Sequence, residues 1–173
     1  PDTVIAIGGG SAMDAAKIAR YIYEYSLEQE PGFLESYEKV SELFTRLQQK
    51  FVDIRKRIVK FHHGTHTKLF CIPTTSGTGS EVTPYAVITD DNTHVKYPLT
   101  DYEMTPQVAI VDPEFVMTVP KRTVAWSGLD TLSHALESYV SVMASDFTRP
   151  WSLQAIKLVF ENLEKSYNYD PKN

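Results

Sequence analysis

Asp130 and His134 carry clear chemical potential, because they stand four residues apart in the stretch Gly128 to Glu137. On a helix, positions i and i+4 share one face, a turn apart. A carboxylate oxygen and an imidazole nitrogen so placed can bind one divalent ion. The same two groups can equally form a hydrogen bond or an ion pair on a surface helix. Two ligands do not complete a catalytic metal site, which generally has three from the protein and an open position. Glu137 lies one turn beyond His134 and reads as a packing or capping residue. The donor types do not choose between iron and zinc. His62, His63 and His66 crowd one loop, but H-H-x-x-H matches neither a helical HExxH nor a zinc ribbon, so an exposed loop is the reading.

Two segments have the composition of phosphate-binding loops. Gly8-Gly9-Gly10-Ser11 follows the apolar run Thr3-Val4-Ile5-Ala6-Ile7 and precedes a helical stretch. Glycines let a backbone approach an anion, and free amides at a helix start point at it. The loop is not a Walker A motif, and Met13 stands where a GxGxxG would have its third glycine. Taken alone, it fits a simple tight turn as well. The second loop, Pro73-Thr74-Thr75-Ser76-Gly77-Thr78-Gly79-Ser80-Glu81, follows another apolar run, Leu69 to Ile72. Loops at the carboxyl ends of neighbouring strands converge on one crevice in α/β proteins. The pair therefore favours a dinucleotide or another phosphorylated ligand.

The elements that must position these residues can be read in order. Thr3–Ile7 has no polar alternation and reads as a strand buried on both faces. Ala12–Tyr25 is helical, with Ala15, Ile18, Ala19 and Ile22 as its apolar stripe. Beyond a break at Pro31-Gly32, Leu34–Val59 carries Val40, Leu43, Phe44, Leu47, Phe51, Ile54 and Ile58 at amphipathic-helix spacing. Ala86–Thr89 and His94–Tyr97 flank Asp90-Asp91-Asn92-Thr93 as a β-hairpin. Val108–Val111 is a further buried strand. After Pro120 the pattern is helical throughout, with helices expected over 126–142 and 152–166. The fold class is α/β: a partial Rossmann-like dinucleotide-binding domain over 1–118, with a helical insertion at about 26–60, then the start of an all-helical metal-binding domain over 119–173.

Composition bounds the partners. The chain has 173 residues, 42% hydrophobic and 23% charged, with a formal net charge of -5. That is enough apolar material for a core. The acidic balance argues against a nucleic-acid partner. The basic cluster Arg55, Lys56, Arg57 and Lys60 reads as a solvated helix face. The lone Cys71 excludes an intrachain disulfide, suits a reducing cytoplasm and lies in an apolar run as a buried thiol. No apolar run approaches the roughly 18 residues of a membrane span, and no signal peptide is visible. Pro1-Asp2 leads at once into a strand and Pro171-Lys172-Asn173 follows a helix, so the chain is expected to be a piece of a longer protein.

Four motifs in one order resemble a known family. They are Gly-Gly-Gly-Ser-x-x-Asp-x-x-Lys at Gly8–Lys17, Pro-Thr-Thr-x-Gly-Thr-Gly-Ser-Glu at Pro73–Glu81, Asp112-Pro113, and Gly-x-Asp-x-x-x-His-Ala-x-Glu at Gly128–Glu137. The series resembles the iron-containing (group III) alcohol dehydrogenases, whose architecture is shared with dehydroquinate synthase. Asp53-Ile54-Arg55-Lys56-Arg57 and Tyr139-Val140-Ser141-Val142 resemble, more narrowly, the alcohol dehydrogenase half of bifunctional aldehyde–alcohol dehydrogenases. The resemblance implies that Gly9, Gly10, Ser11 and Asp14 hold the pyrophosphate and nearby ribose of NAD(H). It implies that Thr74, Thr75, Thr78 and Ser80 line the nicotinamide side, that Lys96 reaches a cofactor phosphate or ribose, and that Phe115 lies near the adenosine. Asp130 and His134 become the first two ligands of Fe2+, with Zn2+ an alternative, and two further histidines come from outside this chain.

The same resemblance implies hydride transfer between NAD(H) and a small alcohol or aldehyde, and a homo-oligomer that in bifunctional relatives extends to filaments. It also implies a fused aldehyde dehydrogenase domain and no membrane partner. Beyond the metal ligands no catalytic residue is assigned, and the 173 residues alone are expected to be inactive. Two other readings stay open: a glycerol dehydrogenase or dehydroquinate synthase-like enzyme, and a non-catalytic nucleotide-binding or filament-assembly segment using the helix Leu34–Val59.

Overall fold

A computed structural model describes residues 1–27, 32–55, 66–90 and 93–170, with the backbone alone over 50–55. His62, His63, Lys56, Arg57, Lys60 and the hairpin residues Asp91 and Asn92 lie outside the described residues. The chain divides into two compact units. One comprises Pro1–Pro73 and Ser80–Val111; the other comprises Thr74–Gly79 and Asp112–Asn173.

The first unit is α/β. Strand β1 (Thr3–Gly8) runs parallel to β2 (Lys68–Pro73), and β2 runs parallel to the two-residue β5 (Val108–Ala109), giving the order β1-β2-β5. A second sheet is the antiparallel hairpin β3 (Tyr85–Thr89) and β4 (Lys96–Thr100). Helix α1 (Gly10–Leu27) packs on both β1 and β3, and α2 (Tyr37–Arg55) packs on β4. Ala6, Met13, Leu69 and Cys71 close the contact between α1 and the parallel sheet. Ile18, Phe33, Leu43, Leu47, Ala86, Leu99 and Met104 form the larger core between α1, α2 and the hairpin. Helix α2 thus directs Leu43 and Leu47 into its own unit, leaving that part of its apolar stripe unavailable to a partner.

Three sequence expectations need correction. Strand β1 is covered on one face: Ala6 is buried, while Ile5 and Ile7 are 62% and 60% exposed. Val108–Val111 is an exposed sheet edge with two paired residues, so its apolar run did not signal burial. The buried residues of α1 are Met13, Lys17, Ile18, Arg20 and Glu24, while Ala15 and Ala19 are exposed. Positions 13, 17, 20 and 24 form a helical stripe, and three of the four are charged. They can be buried because they are hydrogen-bonded. Arg20 donates to Thr67 O and Glu103 O, each at 2.6 Å, and to Glu24 Oε1 at 3.3 Å; Glu24 Oε1 also accepts from Thr67 N.

The second unit is a helical pair with one loop segment. Helices α3 (Lys121–Val140) and α4 (Arg149–Asn168) contact each other through Gly128 against Leu163 and through Ser138 Oγ against Ser152 Oγ at 2.8 Å. Early residues of one meet late residues of the other, so the pair is antiparallel. Helix α3 starts five residues before the expected Trp126, immediately after Pro120, whose fixed φ suits a helix start. Thr74–Gly79 packs onto α3. A Cβ on Gly77 would stand 2.9 Å from Ser127 Cβ and from Ser127 O, and Thr131 Oγ1 donates to Ser76 O at 3.4 Å.

Candidate functional site

In the α/β unit, the first loop closes tightly. Gly8 takes φ +154°, and a Cβ there would lie 2.7 Å from Ala12 Cβ. Glycine is required both by conformation and by space. Gly9 O accepts from Ala12 N and Met13 N at 3.1 and 3.2 Å, so the helix begins within the loop itself. The first amides of a helix have no intrahelical acceptor, and Ser11 is exposed beside them. Gly9 and Gly10 are half-buried. This is a suitable cradle for an anion.

Asp14 stands one turn in. Its Oδ1 accepts from Ser80 Oγ at 2.5 Å, and its Oδ2 accepts from Val87 N at 2.9 Å. The latter bond follows from the hairpin register: Val87 and Pro98 face each other as a pair that exchanges no ladder bonds, between the bonded pairs of an antiparallel ladder. Val87 N–H turns away from the ladder instead. Lys17, with no exposed surface, donates to Ser80 Oγ at 2.8 Å, Thr83 Oγ1 at 3.3 Å and Tyr85 O at 2.7 Å. Its Nζ lies 3.8 Å from Asp14 Oδ1. Burial lowers the Lys17 pKa, and the Asp14 carboxylate opposes that shift. Ser80 is buried within this network, and Lys96 is exposed on β4 opposite Thr89. Lys17 had no role in the sequence reading; the signal was a lysine placed four residues after the buried Met13.

In the helical unit, residues Thr74–Gly79 of the second loop and the expected metal ligands belong to one body. Thr74 and Thr75 are half-buried, and Thr78 is exposed. Their segment rests on Ser127 and Thr131, and Thr131 is adjacent to Asp130. His134 Nε2 lies 3.7 Å from Asp130 Oδ1, with side chains 53% and 43% exposed. Ligand atoms about 2.1 Å from one ion can stand no more than about 4.2 Å apart, so the pair fits two corners of a metal site. Among the described residues no group of three or more His, Cys, Asp or Glu side chains gathers for a metal. Phe115 is exposed in a 3-10 turn, Pro113–Val116, which Asp112 caps by accepting from Glu114 N at 2.9 Å.

A parallel sheet with a glycine loop between strand and helix, followed by an all-helical part, is a partial Rossmann-like domain with a helical appendage. Residues 1–113 match the family described as iron-containing alcohol dehydrogenase, and residues 124–173 match the C-terminal part of the Fe-containing alcohol dehydrogenase family. The chain belongs to the iron-containing alcohol dehydrogenases. It is 56% identical over 171 residues to aldehyde-alcohol dehydrogenase 2 of Entamoeba histolytica, covering 98% of this chain and 18% of that protein. Among solved structures, an iron-containing alcohol dehydrogenase from Thermotoga maritima is similar at a TM-score of 0.73 and 29% identity, covering 99% of this chain and 40% of that one. A sulfoacetaldehyde reductase from Bifidobacterium kashiwanohense in complex with NAD+ is similar at 0.70 and 30% identity, covering 96% and 39%. The chain therefore spans less than a fifth of the length of its Entamoeba relative.

Proposed function

We propose that the protein carrying this chain is an alcohol dehydrogenase that interconverts small primary alcohols and aldehydes, such as ethanol and acetaldehyde, with NAD(H) as hydride carrier. The observation that carries this reading lies within the helical unit. The hydroxyl-rich loop Thr74–Gly79 is seated on the helix that bears Asp130 and His134, beside the first of them. One body therefore offers both a nucleotide-facing loop and a divalent-metal face.

The residues divide the work by chemistry. The Gly8–Ser11 turn supplies close backbone approach for a pyrophosphate. Asp14, a carboxylate 15% exposed, suits ribose hydroxyls, which donate. Thr74, Thr75 and Thr78 orient the nicotinamide end, Lys96 meets a phosphate or ribose, and Phe115 offers an apolar surface to the adenosine. Asp130 and His134 would hold Fe2+, or Zn2+ with the same donors. When bound, the metal supplies Lewis acidity toward the alcohol or carbonyl oxygen, and the nucleotide supplies the hydride. The NAD+ complex of the sulfoacetaldehyde reductase supports the nucleotide assignment, and the family's iron supports the metal.

The wider organisation is also a proposal. The domain division near 118/119 draws support from the all-helical character beyond Lys121 and from the separate family matches on either side. A fused aldehyde dehydrogenase domain draws support from the name of the Entamoeba relative. Homo-oligomerisation and a cytoplasmic site of action follow from the same reading. No described helix is long and apolar enough to cross a membrane.

The test is metal content together with NADH-linked acetaldehyde reduction in the full-length protein. Asp130→Ala is expected to lower metal occupancy and turnover together. Unchanged iron and zinc content in that variant would remove the ligand assignment.

A further inference from the structure

Two buried cations lie on one face of α1, and they do different things. Arg20 ties the helix to Thr67 O and Glu103 O, away from the loops. Lys17 points at the end of the second loop. Its three N–H groups meet three acceptors: Ser80 Oγ, Thr83 Oγ1 and Tyr85 O. Because Ser80 accepts from Lys17, its own O–H is directed to Asp14 Oδ1. Asp14 is held a second time, by Val87 N. The chain of bonds runs from Lys17 through Ser80 to Asp14 and back to the hairpin, all within the α/β unit.

Resting on the dehydrogenase reading above, we propose that Lys17 is the positioning residue of the dinucleotide site. It fixes the register between the glycine-loop end of α1, Ser80 and strand β3, so that Asp14 meets the ribose in one pose.

The physical argument concerns what a buried lysine is good for. Desolvating an ammonium is costly, and replacing a whole buried ion pair by well-packed apolar groups is often neutral or stabilising. Bulk stability alone is therefore a weak reason for Lys17. Directional bonds to three separate segments are what an apolar side chain could not provide. Ser80 Oγ and Val87 N each hold one Asp14 oxygen, and a carboxylate with two oxygens and about four acceptor sites can still receive a ribose hydroxyl. Lys17 also places positive charge near Asp14, offsetting its repulsion of an approaching pyrophosphate.

The test uses the full-length protein, with NADH affinity read by nucleotide fluorescence, unfolding midpoint by heat, and aldehyde KM by steady-state kinetics. Lys17→Met is expected to weaken NADH binding about tenfold or more, as when a buried charged group's hydrogen bonds are lost. Aldehyde KM at saturating NADH should change little. Thr83→Val, which removes one Lys17 acceptor, should weaken NADH binding by a smaller factor, and the double variant should fall short of the product of the two effects. Tyr21→Phe on the same helix is the stability control: it removes the bond to Asp101 Oδ2 at 2.9 Å and should lower the midpoint without changing NADH affinity.

Equal loss of NADH affinity in Tyr21→Phe and Lys17→Met would overturn the proposal and leave Lys17 as a general stabiliser. So would unchanged affinity in Lys17→Met or, should that variant not fold, in Thr83→Val. A wild-type protein that binds no NADH would overturn the dehydrogenase reading itself.

Discussion

Tyr21 links the stability of the α/β unit to pH through one buried hydroxyl. Its hydroxyl donates to Asp101 Oδ2, and burial, followed by the Asp101 charge, pushes its pKa well above the ordinary phenol value near 10. The native state therefore keeps this proton at pH values where the unfolded chain has released it. The resulting stabilisation is full below about pH 10 and is lost as pH rises above it toward the folded value. In urea unfolding across pH 8 to 11, Tyr21→Phe is expected to be destabilised by about 1 kcal/mol at the lower end. Its alkaline decline should be shallower than that of the parent, and parallel curves would exclude Tyr21 as a source of that decline. At this scale the sequence showed a glycine turn at Gly8–Ser11 that fits a simple tight turn as well as an anion cradle, and Asp14 took a role only through the family resemblance. The sequence was silent on Lys17, Arg20 and Glu24. Charged residues score as surface in any apolar pattern, and their burial depends on acceptors such as Thr67 O and Tyr85 O that are far away in sequence.

At the scale of elements, close packing explains Gly128. A Cβ there would lie 2.2 Å from Leu163 Cδ1, so this glycine lets α4 approach α3 where Asp130 follows two residues later. Gly128→Ala is expected to cost about 1–3 kcal/mol, since the leucine must shift. Leu163→Ala in the same chain should recover part of that loss, and strict additivity of the two in denaturant midpoints would refute the contact as the cause. The motif Gly-x-Asp-x-x-x-His was legible as a ligand pattern, but the reason for its glycine lay in a helix 35 positions further on. The helices were legible as helices, with boundaries displaced where Pro120 starts α3 earlier than the apolar pattern does, although α1 buries a largely charged stripe in place of Ala15 and Ala19. Strand β5 misled for the opposite reason. Val108–Val111 is as apolar as a buried strand, and composition alone could not show that it pairs over two residues at a sheet edge.

At the scale of the whole molecule, much large apolar surface is exposed: Ile5 and Ile7 on the parallel sheet, and Trp126, Val140, Trp151 and Phe160 on the helical pair. Exposed apolar groups in such number favour association. The 173 residues by themselves are expected to sediment as concentration-dependent oligomers and to bind a hydrophobic dye. Substituting Trp151 and Phe160 by serine should reduce both signals, and no change in either would locate the association elsewhere.

The chain passes between its two compact units three times, at 73/74, 79/80 and 111/112. In terms of inheritance, the helical half does not travel as one continuous stretch of gene. A chimera that takes residues from 112 onward from one relative and everything before from another would separate Gly77 from the Ser127 against which it fits. Carrying the six codons for Thr74–Gly79 along with the helical half should restore a sharp, cooperative unfolding transition that the simple single-junction hybrid lacks.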